Sequence, residues 1–190
     1  MLEWNPVSER IITARIQTKL RKISIVQCYA PTENAELAEK EAFYSLLDKT
    51  LLGIKRSDII VMMGDFDAQV GNDNKDIEHI MGRHGMPCVN ENENGQLLIE
   101  FCGKHGLIIG GTVFPHRDCH KVTWISPDKD KQVENQTDHI CISRNWNNSL
   151  IDVRNKRGAD IGPDHHMIMG ILRIKVQKLR GRPQTGRNRT

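Results

Sequence analysis

Apolar and polar residues alternate with period two near the front of the chain. Ile12, Ala14, Ile16, Thr18 and Leu20 alternate with Thr13, Arg15, Gln17 and Lys19, which predicts a half-buried strand. A second run, Ile23 to Tyr29, follows Arg21-Lys22, so the two predict an antiparallel hairpin. Pro31 ends that run, and Thr32 or Asn34 can cap a helix over 35–52. Phe43, Leu46, Leu47 and Leu51 share one face of this helix, and Gly53 stops it. The run Asp58–Met63 predicts a buried strand that breaks at Gly64 and delivers Asp65 and Asp67 into a loop ending at Gly71. Residues 71–95 have little periodicity and read as a long loop. A short helix opens at Asn94-Gly95-Gln96, pairs Leu97 with Phe101 and Leu98 with Cys102, and closes at Gly103 and Gly106. Further strands are predicted over 107–109, 122–125, 139–143, 150–154 and 167–176. Many strands with two helices indicate an α/β sandwich, sheet against sheet, with helices outside.

Composition narrows the class. A chain of 190 residues suits one domain, and 38% hydrophobic with 27% charged residues is the balance of a globular protein. No apolar run approaches the roughly 20 residues that span a bilayer. Met1-Leu2-Glu3-Trp4-Asn5-Pro6 has neither a basic nor an apolar leader segment, so an intracellular location, nuclear or cytoplasmic, is expected. The five cysteines are odd in number and form no CxxC, as expected of reduced thiols. The net charge of +3 conceals an asymmetry. Residues 173–190 carry seven Lys/Arg and no acid, which leaves 20 basic against 24 acidic residues in the body. Residues 177–190 therefore read as a basic, disordered tail, suited to a nucleic-acid backbone or simply solvated.

Two carboxylates just past a strand suggest metal binding or base chemistry, because unpaired like charges raise one pKa unless a cation lies between them. As turn residues, Asp65 and Asp67 also have an ordinary structural reading. Two more strand-end positions carry acid–histidine pairs, Asp138-His139 and Asp164-His165-His166, and Tyr29 and Trp124 lie at others. Together these supply metal-assisted phosphodiester hydrolysis: a carboxylate for the ion, another for water, a histidine for the phosphate. His139 and His166 read as supporting residues. His116, Cys119 and His120 lack a fourth zinc ligand in sequence. Lys156-Arg157 reads equally as a nucleic-acid contact or a solvated turn.

The segments QCYAPT, MGDFDAQVG, NENGQLL, HRDCHKVTWISPD, ENQTDHICIS and DVRNKRGADIGPDHH occur in an order that resembles the endonuclease/exonuclease/phosphatase superfamily. They are most similar to its retrotransposon-derived, craniofacial development protein 2-like endonucleases, over about Trp4 to Val176. The resemblance implies a DNase I-like α/β (α+β) sandwich of two packed mixed sheets with flanking helices over residues 1–176. It implies that Tyr29 contacts the scissile phosphate, Asp65 orients or activates water, and Asp67 occupies the asparagine position of the same motif. Asp138 would fix the tautomer of His165, His165 would bind the phosphate, Asp164 would lie near the metal, and Trp124 would line the nucleotide pocket. Mg²⁺ (or Mn²⁺) is the implied cofactor, DNA the implied partner, and no protein partner or membrane is implied. The superfamily also carries, ahead of the hairpin, one strand with an Asn and one with a metal-binding Glu. This chain is expected to begin after both, with impaired activity; Glu3, Glu9 and Glu33 lie outside that motif. Three functions remain open: a Mg²⁺-dependent nicking DNA endonuclease, a catalytically dead remnant that binds nucleic acid, and a phosphoesterase on small substrates.

Overall fold

The computed structural model describes residues 1–88, 91–128, 130, 133–160 and 164–175. The basic tail and the predicted end of the last strand at 176 lie outside these residues. Among the described residues ten strands form, in chain order: β1 (Glu3–Pro6), β2 (Ile11–Gln17), β3 (Lys22–Tyr29), β4 (Ile59–Asp65), β5 (Leu107–Ile109), β6 (Trp124–Ile125), β7 (Glu134–Asn135), β8 (Asp138–Ser143), β9 (Leu150–Asp160) and β10 (His166–Leu172). Two helices, α1 (Leu37–Leu52) and α2 (Glu93–His105), interrupt them.

The main sheet has six strands in the order β1-β2-β3-β4-β8-β5. Only β3 and β4 run parallel, because α1 carries the chain between them; the other pairs are antiparallel. Strand alternation gives this sheet two apolar faces. On one, Ile11, Val26 and Met62 pack with Phe43, Leu47 and Leu51 of α1 and Leu98, Phe101 and Cys102 of α2. On the other, Ile23, Ile59, Val61, Ile140 and Ile142 meet Leu150 and Val153 of β9 and Ile168 and Leu172 of β10. β9 and β10 form a second, antiparallel sheet. The result is the sandwich that the sequence predicts, with the described helices on one outer face. No described helix is long and apolar enough to cross a membrane.

Local differences from the sequence reading have physical causes. β1 is unpredicted, since Glu-Trp-Asn-Pro has no alternation; its pairing with Pro6 opposite Ile12 makes it a strand. Neither Thr32 nor Asn34 caps α1, whose N-cap is Glu36 without a side-chain bond. α2 begins at Glu93, capped by Asn92, whose side-chain oxygen accepts from the Gly95 amide at 2.8 Å. The supposed loop 71–95 is partly packed, with Ile80 and Met81 buried and Met81 bridged to Ile109. β4 does not break at Gly64 but runs on to Asp65. Gly64 is required there, because a Cβ would lie 1.9 Å from the Cys28 carbonyl oxygen on β3.

Candidate active site

Register places the reactive groups. The parallel β3–β4 pairing sets Tyr29 beside Asp65, and the antiparallel β4–β8 pairing sets Asp138 on the other side of Asp65. Three strand ends thus present three polar side chains in a row. His165 arrives from the second sheet. The Ile125 amide donates to the Asp164 carbonyl and the His166 amide to the Thr123 carbonyl, both at 2.8 Å, bridging Trp124 to His165.

His165 Nδ1 lies 3.2 Å from Asp138 Oδ2, and its Nε2 lies 4.0 Å from Asp65 Oδ2. An ionised carboxylate only accepts, so Asp138 selects the tautomer with the proton on Nδ1. Ligand atoms of Asp65, Asp138 and His165 all fall within 4.8 Å of one another. They line an open cavity of about 550 Å³ with Tyr29, Met63 and Ile168. Tyr29 is exposed, and the Arg10 guanidinium stands 5.6 Å from its ring centre.

Burial, and next the charge of Asp65, push the Asp138 carboxyl up to about 6, against the opposing pull of Thr123 and His165. Thr123 also accepts the amides of Thr137 and Asp138 with its hydroxyl, each at 3.0 Å, and so fixes the start of β8.

The other predicted residues lie differently. The Asp67 carboxylate accepts the Glu33 amide at 2.7 Å and is not part of the three-residue cluster. The Asp164 side chain is likewise outside that cluster; its backbone carbonyl serves the strand bridge. Trp124 is half-buried next to His165. His139 is fully buried, its Nε2 2.7 Å from the Ala68 carbonyl, and burial lowers its pKa to about 4. It is therefore a neutral donor that supports the Asp65 loop. His116 pairs with Asp152 at 2.6 Å rather than with Cys119. Arg10, Thr123 and Glu33 escaped the sequence reading because each reaches its partner across strands or loops distant in the chain.

No family model matches the chain. The endonuclease domain of TRAS1, a telomere-specific non-LTR retrotransposon, superposes with a TM-score of 0.60 at 14% identity, covering 88% of this chain and 65% of that one. A 3′ phosphatase from Neisseria bound to a product DNA hairpin superposes with a TM-score of 0.62 at 16% identity, covering 87% and 65%. The fold is that of the endonuclease/exonuclease/phosphatase proteins. Within it, the chain is similar in sequence to craniofacial development protein 2. It is 34% identical to the Bos taurus protein over 173 residues, 91% of this chain. Those residues span 28% of that relative's length.

Proposed function

We propose that the chain is a divalent-metal-dependent phosphodiesterase that nicks DNA, of mobile-element descent. The observation that carries this reading is the convergence of Asp65, Asp138 and His165 in an open cavity, with Tyr29 at the cavity's edge. The donor set fits a small hard dication: two carboxylate oxygens in reach of each other, one with its pKa raised by burial and next by the other's charge. Asp65 and Asp138 would hold Mg²⁺, with Mn²⁺ an acceptable substitute. When bound, the ion supplies Lewis acidity toward a phosphoryl oxygen.

The chain's own groups divide the rest of the work. Asp65 orients a water molecule toward phosphorus and takes its proton. His165, held by Asp138 at Nδ1, presents Nε2 to a phosphate oxygen. The Tyr29 hydroxyl donates to another, and Trp124 lines the side where the nucleotide lies. The water oxygen bonds to phosphorus as the bond to the 3′ oxygen breaks. The 3′ oxygen leaves and takes a proton from solvent, Asp65 returns its proton to solvent, and the products are a 3′-hydroxyl and a 5′-phosphate. Support for DNA as substrate comes from the TRAS1 domain, an endonuclease with the same fold.

The test is conversion of supercoiled plasmid to open circle in Mg²⁺. Nicking stops in EDTA, and His165→Ala lowers the rate by about 10²–10³-fold, the cost of one transition-state donor. Binding without nicking would instead support a non-catalytic nucleic-acid-binding remnant. The Neisseria phosphatase, with its DNA hairpin product, favours a second reading, removal of a terminal phosphate. Inorganic phosphate released from a 3′-phosphorylated oligonucleotide, with plasmid left intact, would select it.

A further inference from the structure

Asp67 lies two residues from Asp65, yet its carboxylate faces the loop behind the cavity. Its backbone is left-handed, with φ 46°, a conformation an aspartate tolerates. That conformation turns its three polar groups in three directions. The amide donates to Asp65 Oδ1 at 2.9 Å, which leaves Asp65 Oδ2 as the oxygen facing His165. The carbonyl accepts from Asn92 Nδ2 at 2.7 Å, at the cap of α2. The carboxylate accepts the Glu33 amide at 2.7 Å.

Glu33 carries the connection further. Its own carboxylate accepts the amides of Glu93 and Asn94 at 2.9 and 3.1 Å, so it caps α2 from outside. Lys40, fully buried, donates to the Glu33 carbonyl at 2.7 Å and to Glu93 at 2.5 Å. Asn94 donates to the Pro31 carbonyl at 3.0 Å, and the Ala30 amide donates to the Asp65 carbonyl at 2.9 Å. The four residues after Tyr29 are thereby tied to the Asp65 loop and to the start of α2 at several points. The Asp67–Glu33 bond joins the end of the segment after Tyr29 to the residue whose amide holds Asp65 Oδ1.

We infer that Asp67 is a positioning residue: its carboxylate locks the Tyr29–Glu33 segment to the Asp65 loop, so that Tyr29 and Asp65 hold a common geometry toward one phosphate. The inference rests on the phosphodiesterase reading for its consequence in rate. It assigns Asp67 no contact with the substrate or the ion. An asparagine retains the accepting oxygen that the Glu33 amide needs, whereas an alanine does not.

The experiment pairs amide hydrogen exchange with the nicking rate in Asp67→Asn and Asp67→Ala. In Asp67→Ala, exchange rises at least several-fold in both 29–33 and 65–69 while the rest of the fold stays protected, and kcat falls about 10–100-fold. In Asp67→Asn both readouts stay within about threefold of the parent, since the hydrogen bond survives. Unchanged exchange in Asp67→Ala overturns the lock, whether or not the parent cuts DNA. A loss of rate in Asp67→Asn equal to that in Asp67→Ala, with exchange unchanged, also overturns it, because the carboxylate itself would then act on substrate or ion. A rate in Asp67→Asn well above the parent overturns it too and assigns the position a phosphate contact. A parent that neither nicks nor releases phosphate defeats the phosphodiesterase reading, while the exchange result still decides the lock.

Discussion

The two ends of β4 each carry an aspartate, and the two have opposite fates. Asp58, just before the strand, is 5% exposed and surrounded by donors. Arg15 grips it with Nε at 2.5 Å and Nη2 at 3.0 Å, and the Ser24 hydroxyl donates at 3.0 Å. The guanidinium holds its carboxyl below the usual range. Asp65, at the far end, shares its surroundings with a second carboxylate and one histidine. There the carboxyl of Asp138 rises to about 6. The residue type and its place at a strand end are the same. What separates the two ends is their surroundings: a guanidinium with two contacts at one, and at the other a buried carboxyl beside a second carboxylate.

The largest effect on this comparison comes from Asp58→Ala. It leaves the Arg15 guanidinium with Glu3 as its remaining acidic partner, and stability falls. Urea denaturation reads this as a lower midpoint at unchanged slope. The nicking rate per folded molecule stays the same. A fall in rate without a fall in stability would merge the two ends of the strand into one site.

A smaller effect is the slope of stability with pH, measured in EDTA. Asp58 has a folded pKa below the unfolded value, so its stabilisation is present above the ordinary carboxylate range and disappears as pH falls through the folded value. Asp138 works in the opposite sense. Its folded pKa of about 6 lies above the unfolded value of about 3.9. The folded state then binds the proton more tightly, stability declines as pH rises from about 4 to about 6, and the penalty persists above that. Asp138→Asn should flatten this window and leave the acid limb from Asp58 in place. A slope that survives Asp138→Asn would show that Asp138 is not the strained carboxylate.

The candidate-site side of this contrast is legible in the sequence, and the other side is not. Tyr29, Asp65, Asp138 and His165 stand next to strand ends, and the patterns that predict β3, β4 and β8 bring three of them together once the strands pair in register. His165 needed the bridge to Trp124, which local pattern does not show. Local pattern shows Asp58 as the first residue of a strand and no more, because its partner Arg15 lies 43 positions away. Spacing leaves Asp67 open between a site role and a turn role, because it says nothing of the left-handed φ or of the carboxylate's bond to Glu33. β7 and β1 are too short or too irregular to give a period, and only pairing defines them.

If the carboxylates at the far end of β4 take a dication, while Arg15 already neutralises Asp58 at the near end, an added divalent ion binds at the far end. Calorimetric titration of Mn²⁺ into metal-stripped protein tests it most directly. The expected result is one ion per chain, with binding lost in Asp65→Asn and weakened about 10–100-fold in His165→Ala, on the scale seen when a metal site loses a supporting group. Binding that persists unchanged in Asp65→Asn, or no binding by the folded parent protein, would contradict it.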